Sequence, residues 1–168
     1  SKEWEKEAAR RGLPNVSSYI EATEILKDPK VIHLFTSNGV YSEKELHANR
    51  LIMAEQYDRM MDIEVRTLIE MGRMSAEFDF YAEAASKAKK CPKFFETRME
   101  QLSELIDNTY SATEKMTTLW KEANETGDDF ECGKKIYYTV VPAMLELRKY
   151  IDRYEQIASR NFYKLPLY

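Results

Sequence analysis

A chain of 168 residues is one domain's length and ample for a single hydrophobic core. Only 5 glycines and 5 prolines stand beside a charged share of 32%, a mixture that favours long amphipathic helices over a sheet with many turns. The net charge of −4 argues against the strongly basic face that nucleic acid requires, and no apolar run approaches the roughly 20 residues of a membrane span.

The first predicted element is a short helix from Trp4 to Arg11, ended by Gly12 with Leu13-Pro14-Asn15 as the turn. The opening Ser1-Lys2-Glu3-Trp4 carries no initiator methionine, so a processed product or an excised piece of a longer polypeptide is expected. Ser17 or Ser18 caps a second short helix through Leu26. Asp28 caps a third, with Pro29 at its first position, a site where the missing N–H is harmless. That helix carries Val31, Ile32, Leu34 and Phe35, with His33 between them, and stops at Asn38-Gly39.

Ser42 and Glu45 form a capping box that starts the first long helix, read over 43–88. Its apolar residues recur at Leu46, Met53, Tyr57, Met60, Ile63, Thr67, Met71, Met74, Phe78, Tyr81 and Ala85, in steps of three and four. Gly72 is the expected place for a bend or weak turn. Cys91-Pro92 divides this helix from a second, 92–124, striped by Phe95, Met99, Leu102, Ile106, Thr109, Thr113, Met116, Trp120 and Ala123. Gly127 closes it. Asp128 and Glu131 repeat the acid-x-x-Glu signature at the start of a third long helix, 129–160, striped by Ile136, Val140, Met144, Leu147, Ile151, Tyr154 and Ala158. Pro142 should kink this helix without ending it, because the stripe continues beyond. The tail from Asn161 to Tyr168 is apolar and not helical, and should lie down on something.

The predicted fold is therefore all-α: an antiparallel bundle, or coiled-coil hairpin, of three long helices preceded by short ones. Residues 1–41 make a short helical segment, 42–160 the long-helix bundle and 161–168 the tail, one domain in all.

Such rods offer little loop on which to hang catalysis, and no constellation supplies a site. A di-iron bundle needs Glu-x-x-His on two helices, but Lys44 precedes His47 and Lys30 precedes His33 at that spacing. Cys91 stands before a helix start, where a thiol pKa can fall, yet neither histidine is near it in sequence. Cys91 and Cys132 read as free thiols of a reducing cytoplasm, because the helix starts they mark lie at opposite ends of an antiparallel hairpin. The glycines never cluster into a phosphate-cradling loop. Asp128, Asp129 and Glu131 are better read as helix-capping acids than as an acid–base pair. Lys87, Lys89, Lys90 and Lys93 read as a solvated helix end, and Met53, Met60, Met71 and Met74 as core filler rather than a peptide groove. The sequence thus predicts no catalytic, cofactor-binding or metal-binding residue in this chain.

Several segments together resemble the C-terminal region of type III glutamine synthetases. They are Glu3-Trp4 with Glu7-Ala8 and Arg11-Gly12-Leu13-Pro14-Asn15; Leu34-Phe35 with Gly39-Val40-Tyr41-Ser42; and Glu45-Leu46, Glu55-Gln56-Tyr57, Ile63-Glu64, Thr67 and Glu70-Met71. Val141-Pro142-Ala143-Met144, Leu147-Arg148, Asp152, Tyr154-Glu155, Leu165-Pro166 and Tyr168 continue the series. Phe78-Asp79-Phe80 and Tyr163-Lys164 depart from the family's pattern.

The resemblance implies an enzyme that joins ammonia to glutamate using ATP and Mg or Mn, with active sites built between neighbouring subunits of a ring in the cytoplasm. That family's catalytic residues lie upstream of this region, so none maps onto a position here. This chain would then be a non-catalytic helical domain whose partners are the catalytic domain of the same polypeptide and neighbouring subunits of the ring, with neither nucleic acid nor membrane. Its tail (Phe162, Tyr163, Leu165, Tyr168) would dock on its own bundle or on the missing domains. The rival reading is a free-standing helical scaffold or coiled-coil adaptor that binds partner helices.

Overall fold

The structure, a computed structural model, describes residues 2–76 and 92–157. These form helices and no strand: α1 (Lys2–Arg10), α2 (Tyr19–Thr23), a 3-10 turn (Glu24–Lys27), α3 (Pro29–Ser37), α4 (Glu43–Ala76), α5 (Pro92–Asn124), α6 (Asp129–Lys135), a π turn (Ile136–Val140) and α7 (Val141–Ile157). The all-α expectation holds. The expected continuation of the first long helix beyond Ala76, with Phe78, Tyr81 and Ala85, lies outside the described residues, as do Lys87, Lys89, Lys90, Cys91, Ala158 and the tail. Two compact units emerge, one drawn from Ser1–Met60 and Gly127–Lys134, the other from Met61–Thr126 and Lys135–Tyr168.

In the first unit, local chemistry sets the helix ends. Ser18 Oγ accepts from Glu21 N at 3.4 Å, Asp28 Oδ1 accepts from Lys30 N at 2.7 Å, and Ser42 and Glu45 exchange bonds as a capping box. Those bonds to Ser42 hold the Glu45 carboxyl below its ordinary pKa. The helix expected through Leu26 instead tightens into the 3-10 turn after Thr23. Pro29 holds the preceding Asp28 extended (φ −63°, ψ 124°), and Asp28 N closes the turn on Ile25 O at 3.0 Å. Gly39, at φ 65°, ends α3: its N–H bonds Thr36 O at 3.1 Å and Val40 N bonds Phe35 O at 3.0 Å. The buried apolar residues of this unit include Ala8, Ile20, Leu46, Ala54, Tyr57 and Phe130. The Tyr57 ring stacks on Tyr19 with centroids 5.8 Å apart.

α4 is one continuous helix of 34 residues, about 51 Å long. Its buried face matches the predicted stripe at Leu46 and Tyr57 and departs from it elsewhere. Leu46, Arg50, Ala54, Tyr57, Met61, Val65, Leu68, Ile69 and Gly72 are buried, whereas Met53, Met60, Ile63 and Thr67 are exposed. Apolar residues lie on more than one face of this helix, and the buried face includes Ala54, Gly72 and Arg50, which a reading keyed to large apolar side chains passes over. Methionine as core filler accordingly fails at Met53 and Met60. Gly72 is no weak turn: a Cβ there would overlap Thr113 Oγ1, so its role is to let α5 approach.

In the second unit α5 and α7 run antiparallel. Arg98 reaches the carbonyl of Ile157, Leu102, Leu105 and Ile106 cluster with Tyr154, and Lys115 Nζ meets Glu146 Oε2 at 2.9 Å. Positions climb along α5 as they fall along α7. The predicted α5 stripe is largely the buried one, through Leu102, Ile106, Thr109, Thr113, Met116 and Ala123, widened by Leu105 and Ala112. Thr109 and Thr113 are buried polar residues whose hydroxyls donate to Leu105 O and Thr109 O, both at 2.7 Å. No hydroxyl desolvation is left uncompensated at either.

Pro142 does not end the third long helix. The π turn Ile136–Val140 lies just before it, and Val141 N bonds Ile136 O, five residues back. Proline offers no N–H and its ring crowds the carbonyl four residues behind, so a widened turn at this place accommodates it. The α7 stripe follows at Ala143, Leu147, Ile151 and Tyr154, with Ala143 in place of the predicted Met144, which is half-buried.

Candidate functional site

The polar residues most deeply set in the first unit gather around α6. Arg50, 5% exposed, projects from α4. Its guanidinium pairs with Glu24 of the 3-10 turn and lies over the Phe130 ring, Cζ 3.3 Å from the centroid. Lys27 Nζ adds a second cation 5.7 Å from the same ring and meets Glu24 Oε2 at 3.0 Å. Partial burial raises the Glu24 pKa, but the hydrogen bonds from Arg50 and Lys27 outweigh it and hold the carboxyl below its ordinary value. A buried guanidinium is thus compensated on two sides, by a carboxylate and by an aromatic face.

Two turns further along α4, Asp58 faces the same short helix. Its Oδ1 is sealed from solvent and has no hydrogen-bond partner among the described residues. Burial pushes the carboxyl up to about 6, the charge of Asp129 adds to the rise, the thiol of Cys132 opposes it and Asp128 adds a little more. Gly133 makes the approach possible: a Cβ there would meet Ile20 Cγ1 at 2.6 Å and Asp58 Oδ1 at 3.4 Å. Cys132 is buried. A carboxyl titrating about 6 beside a thiol can share a proton, but catalysis also needs a place for substrate. One cleft, of about 480 Å3, lies at the α3–α4 junction beside Thr36, Val40, Tyr41, Ser42 and Glu43.

The residues weighed from sequence are scattered. His33 and His47 are exposed on different helices. Asp128 caps α6, its Oδ1 accepting from Phe130 N at 3.0 Å and Glu131 N at 2.9 Å. Glu131 pairs with Lys134 at 3.0 Å. Among the described residues no group of three or more His, Cys, Asp or Glu is placed to hold a metal ion, and no helix is long and apolar enough to cross a membrane. Neither the Arg50–Glu24–Phe130 contact nor the Asp58–Cys132 contact was read from sequence. Their partners lie far apart along the chain, and the sole local sign was charged residues at core spacing, Arg50 four after Leu46 and four before Ala54.

The family model of the "Glutamine synthetase C-terminal domain" matches residues 1–88. The chain belongs to that family. Glutamine synthetase of Butyrivibrio fibrisolvens is 30% identical over 99% of this chain and 25% of its own length. Type-3 glutamine synthetase of Dictyostelium discoideum and glutamine synthetase of Bacteroides fragilis are each 25% identical over 100% of this chain and 25% of theirs. This glutamine synthetase C-terminal domain thus spans about a quarter of the length of the curated relatives it matches. All of the geometry around Arg50 and Asp58 up to residue 88 falls inside the matched segment, while Phe130 and Cys132 fall beyond it.

Proposed function

We propose that this chain is a non-catalytic helical domain of a longer glutamine synthetase, an enzyme that joins ammonia to glutamate at the expense of ATP. The observation that carries the reading is the alignment of three glutamine synthetases across 99–100% of this chain, which covers 25% of each. ATP and Mg or Mn would be held by the rest of that polypeptide, since the carboxylates and histidines described here are not grouped as a ligand set. The domain's part is structural: it braces the catalytic body and contributes to contacts between neighbouring subunits of a ring-shaped homo-oligomer in the cytoplasm. The outward apolar residues of α4, Met60 and Ile63 at 50% and 68% exposure, favour an interaction role over an isolated bundle.

The test is a ligase assay. The longer polypeptide should form glutamine only when ATP, ammonia, glutamate and a divalent metal are all present, and the 168-residue chain should form none. Glutamine formation by the 168-residue chain itself, or a longer product without ligase activity, overturns the reading. The second outcome would favour the helical scaffold or adaptor.

A further inference from the structure

α3 is an apolar helix without a buried residue. Val31, Ile32 and Phe35 are half-buried and Leu34 is 59% exposed. The turn that follows extends the same surface, with Val40 at 57% and Tyr41 at 42% exposure. This is not a loose loop. Val40 N and Tyr41 N both bond Phe35 O, at 3.0 and 3.5 Å, and the Tyr41 ring lies 5.8 Å from that of Phe35. Immediately beyond, the Ser42–Glu45 capping box anchors the chain to α4. Two helix-terminal motifs back to back therefore hold Val40 and Tyr41 in the wall of a cleft of about 480 Å3, with the Phe35 ring against that of Tyr41. A preformed apolar surface loses little conformational freedom on docking, the condition under which modest area yields a stable contact.

The rest of the first unit points the same way. Most of the exposed large apolar side chains among the described residues belong to it, Trp4, Leu13, Leu34, Val40 and Met60 among them. The second unit exposes fewer, such as Tyr110 and Leu145. Single exposed apolar residues are ordinary; a pair of motifs that fixes several of them beside a cleft is not.

We propose that the α3–α4 junction, through Leu34, Phe35, Val40 and Tyr41, docks on an apolar surface of the remaining portion of the same glutamine synthetase polypeptide. The inference rests on the reading above that such a portion exists. The choice of occupant follows from length: the chain spans 25% of its relatives, so about three times its own mass would be tethered to it. Tethering raises the effective concentration of that partner far above that of any second copy. Contacts between domains of one chain bury roughly 600–1,500 Å2.

Hydroxyl-radical footprinting of the longer polypeptide tests this, with the 168-residue chain alone as reference. Leu34 and Tyr41 should oxidise about five-fold more slowly in the longer polypeptide, as residues covered by an apolar contact do, while Tyr110 should label equally in both. Val40→Glu, a change at an exposed position, should restore Tyr41 labelling in the longer polypeptide without loss of helical circular dichroism. Equal labelling of Leu34 and Tyr41 in the two proteins overturns the proposal. So does protection that already exists in the 168-residue chain and grows with its concentration, which would assign the surface to a second copy. A longer polypeptide that forms glutamine yet leaves Tyr41 open sinks the docking alone. One that protects Tyr41 yet forms no glutamine sinks the enzyme reading and leaves the docking.

Discussion

The guanidinium of Arg50 lies over the ring of Phe130, its Cζ 3.3 Å from the centroid, and the two residues stand 80 positions apart in the chain. That contact fastens α6 to α4 inside the first unit and covers one side of a cation that Glu24 neutralises on another. Arginine suits the place because its planar, weakly hydrated group can stack and pair at once. Removing Glu24 leaves the buried charge with the ring alone. Glu24→Gln should therefore destabilise the chain by about 2 kcal/mol in urea denaturation, less than for a fully buried pair because Glu24 is partly open to water. Arg50→Lys should not restore what Arg50→Ala removes, since an ammonium cannot stack.

Asp58 gives the chain an inverted acid response. Its pKa is raised to about 6 in the folded state, so the folded chain holds this proton more tightly than the unfolded chain does. Stability from this group is fully present below the unfolded carboxylate pKa, near the ordinary 3.8, and is lost as pH rises through about 6. Asp58→Asn should raise stability at about pH 7.5 by about 1 kcal/mol, discounted for the half-exposed side chain, and the gain should vanish at about pH 4. Thermal melts of both proteins across that range check it; an advantage that persists unchanged at the acid end refutes the assignment.

Gly72 and Thr113 should behave as a coupled pair. Gly72→Ala gains about 1 kcal/mol of helix propensity but forces a methyl into Thr113, a clash worth about 1–3 kcal/mol. The single variant should be destabilised. Adding Thr113→Ala removes Oγ1 and Cγ2, two of the three nearest obstacles, and should return part of that loss. A double-mutant cycle from urea midpoints measures the coupling, which additive effects would show to be absent.

Ser42→Ala should cost about 1 kcal/mol by freeing the first turn of α4. The Glu45 N bond to Ser42 Oγ, at 3.3 Å, and the hydroxyl's own bond to Glu45 Oε2, at 2.8 Å, disappear together. Hydrogen exchange should report the loss at Glu45 and Leu46 first, ahead of the middle of the helix.

The helix ends were the most legible part of the sequence. Asp28 with Pro29, Ser42 with Glu45, and Gly39 act over three or four residues, so their chemistry can be read without knowing the fold. The α5 seam was nearly as clear, because its apolar residues sit on one side. α4 was misread at Met53, Met60, Ile63 and Thr67 for the opposite reason. Its large apolar residues occupy more than one face, and the packed one is marked by Ala54 and Gly72, where smallness is the signal, and by Arg50, where a charge is tolerated only because Phe130 and Glu24 come to meet it. The contact of Asp58 with Cys132 had no local mark at all. It exists because Gly133 admits a neighbour, and nothing within a few residues of either partner says so.

The threonines of α5 spend their hydroxyls on their own backbone. Thr109 and Thr113 consequently contribute no polar link from one rod to the next. Where they line the seam they act by shape, as Thr113 does in the notch at Gly72. Directional contacts between α5 and α7 are left to the flanks, where Arg98 meets the Ile157 carbonyl and Lys115 meets Glu146, so it is there, and not at the threonines, that a change of register would first have to break a bond.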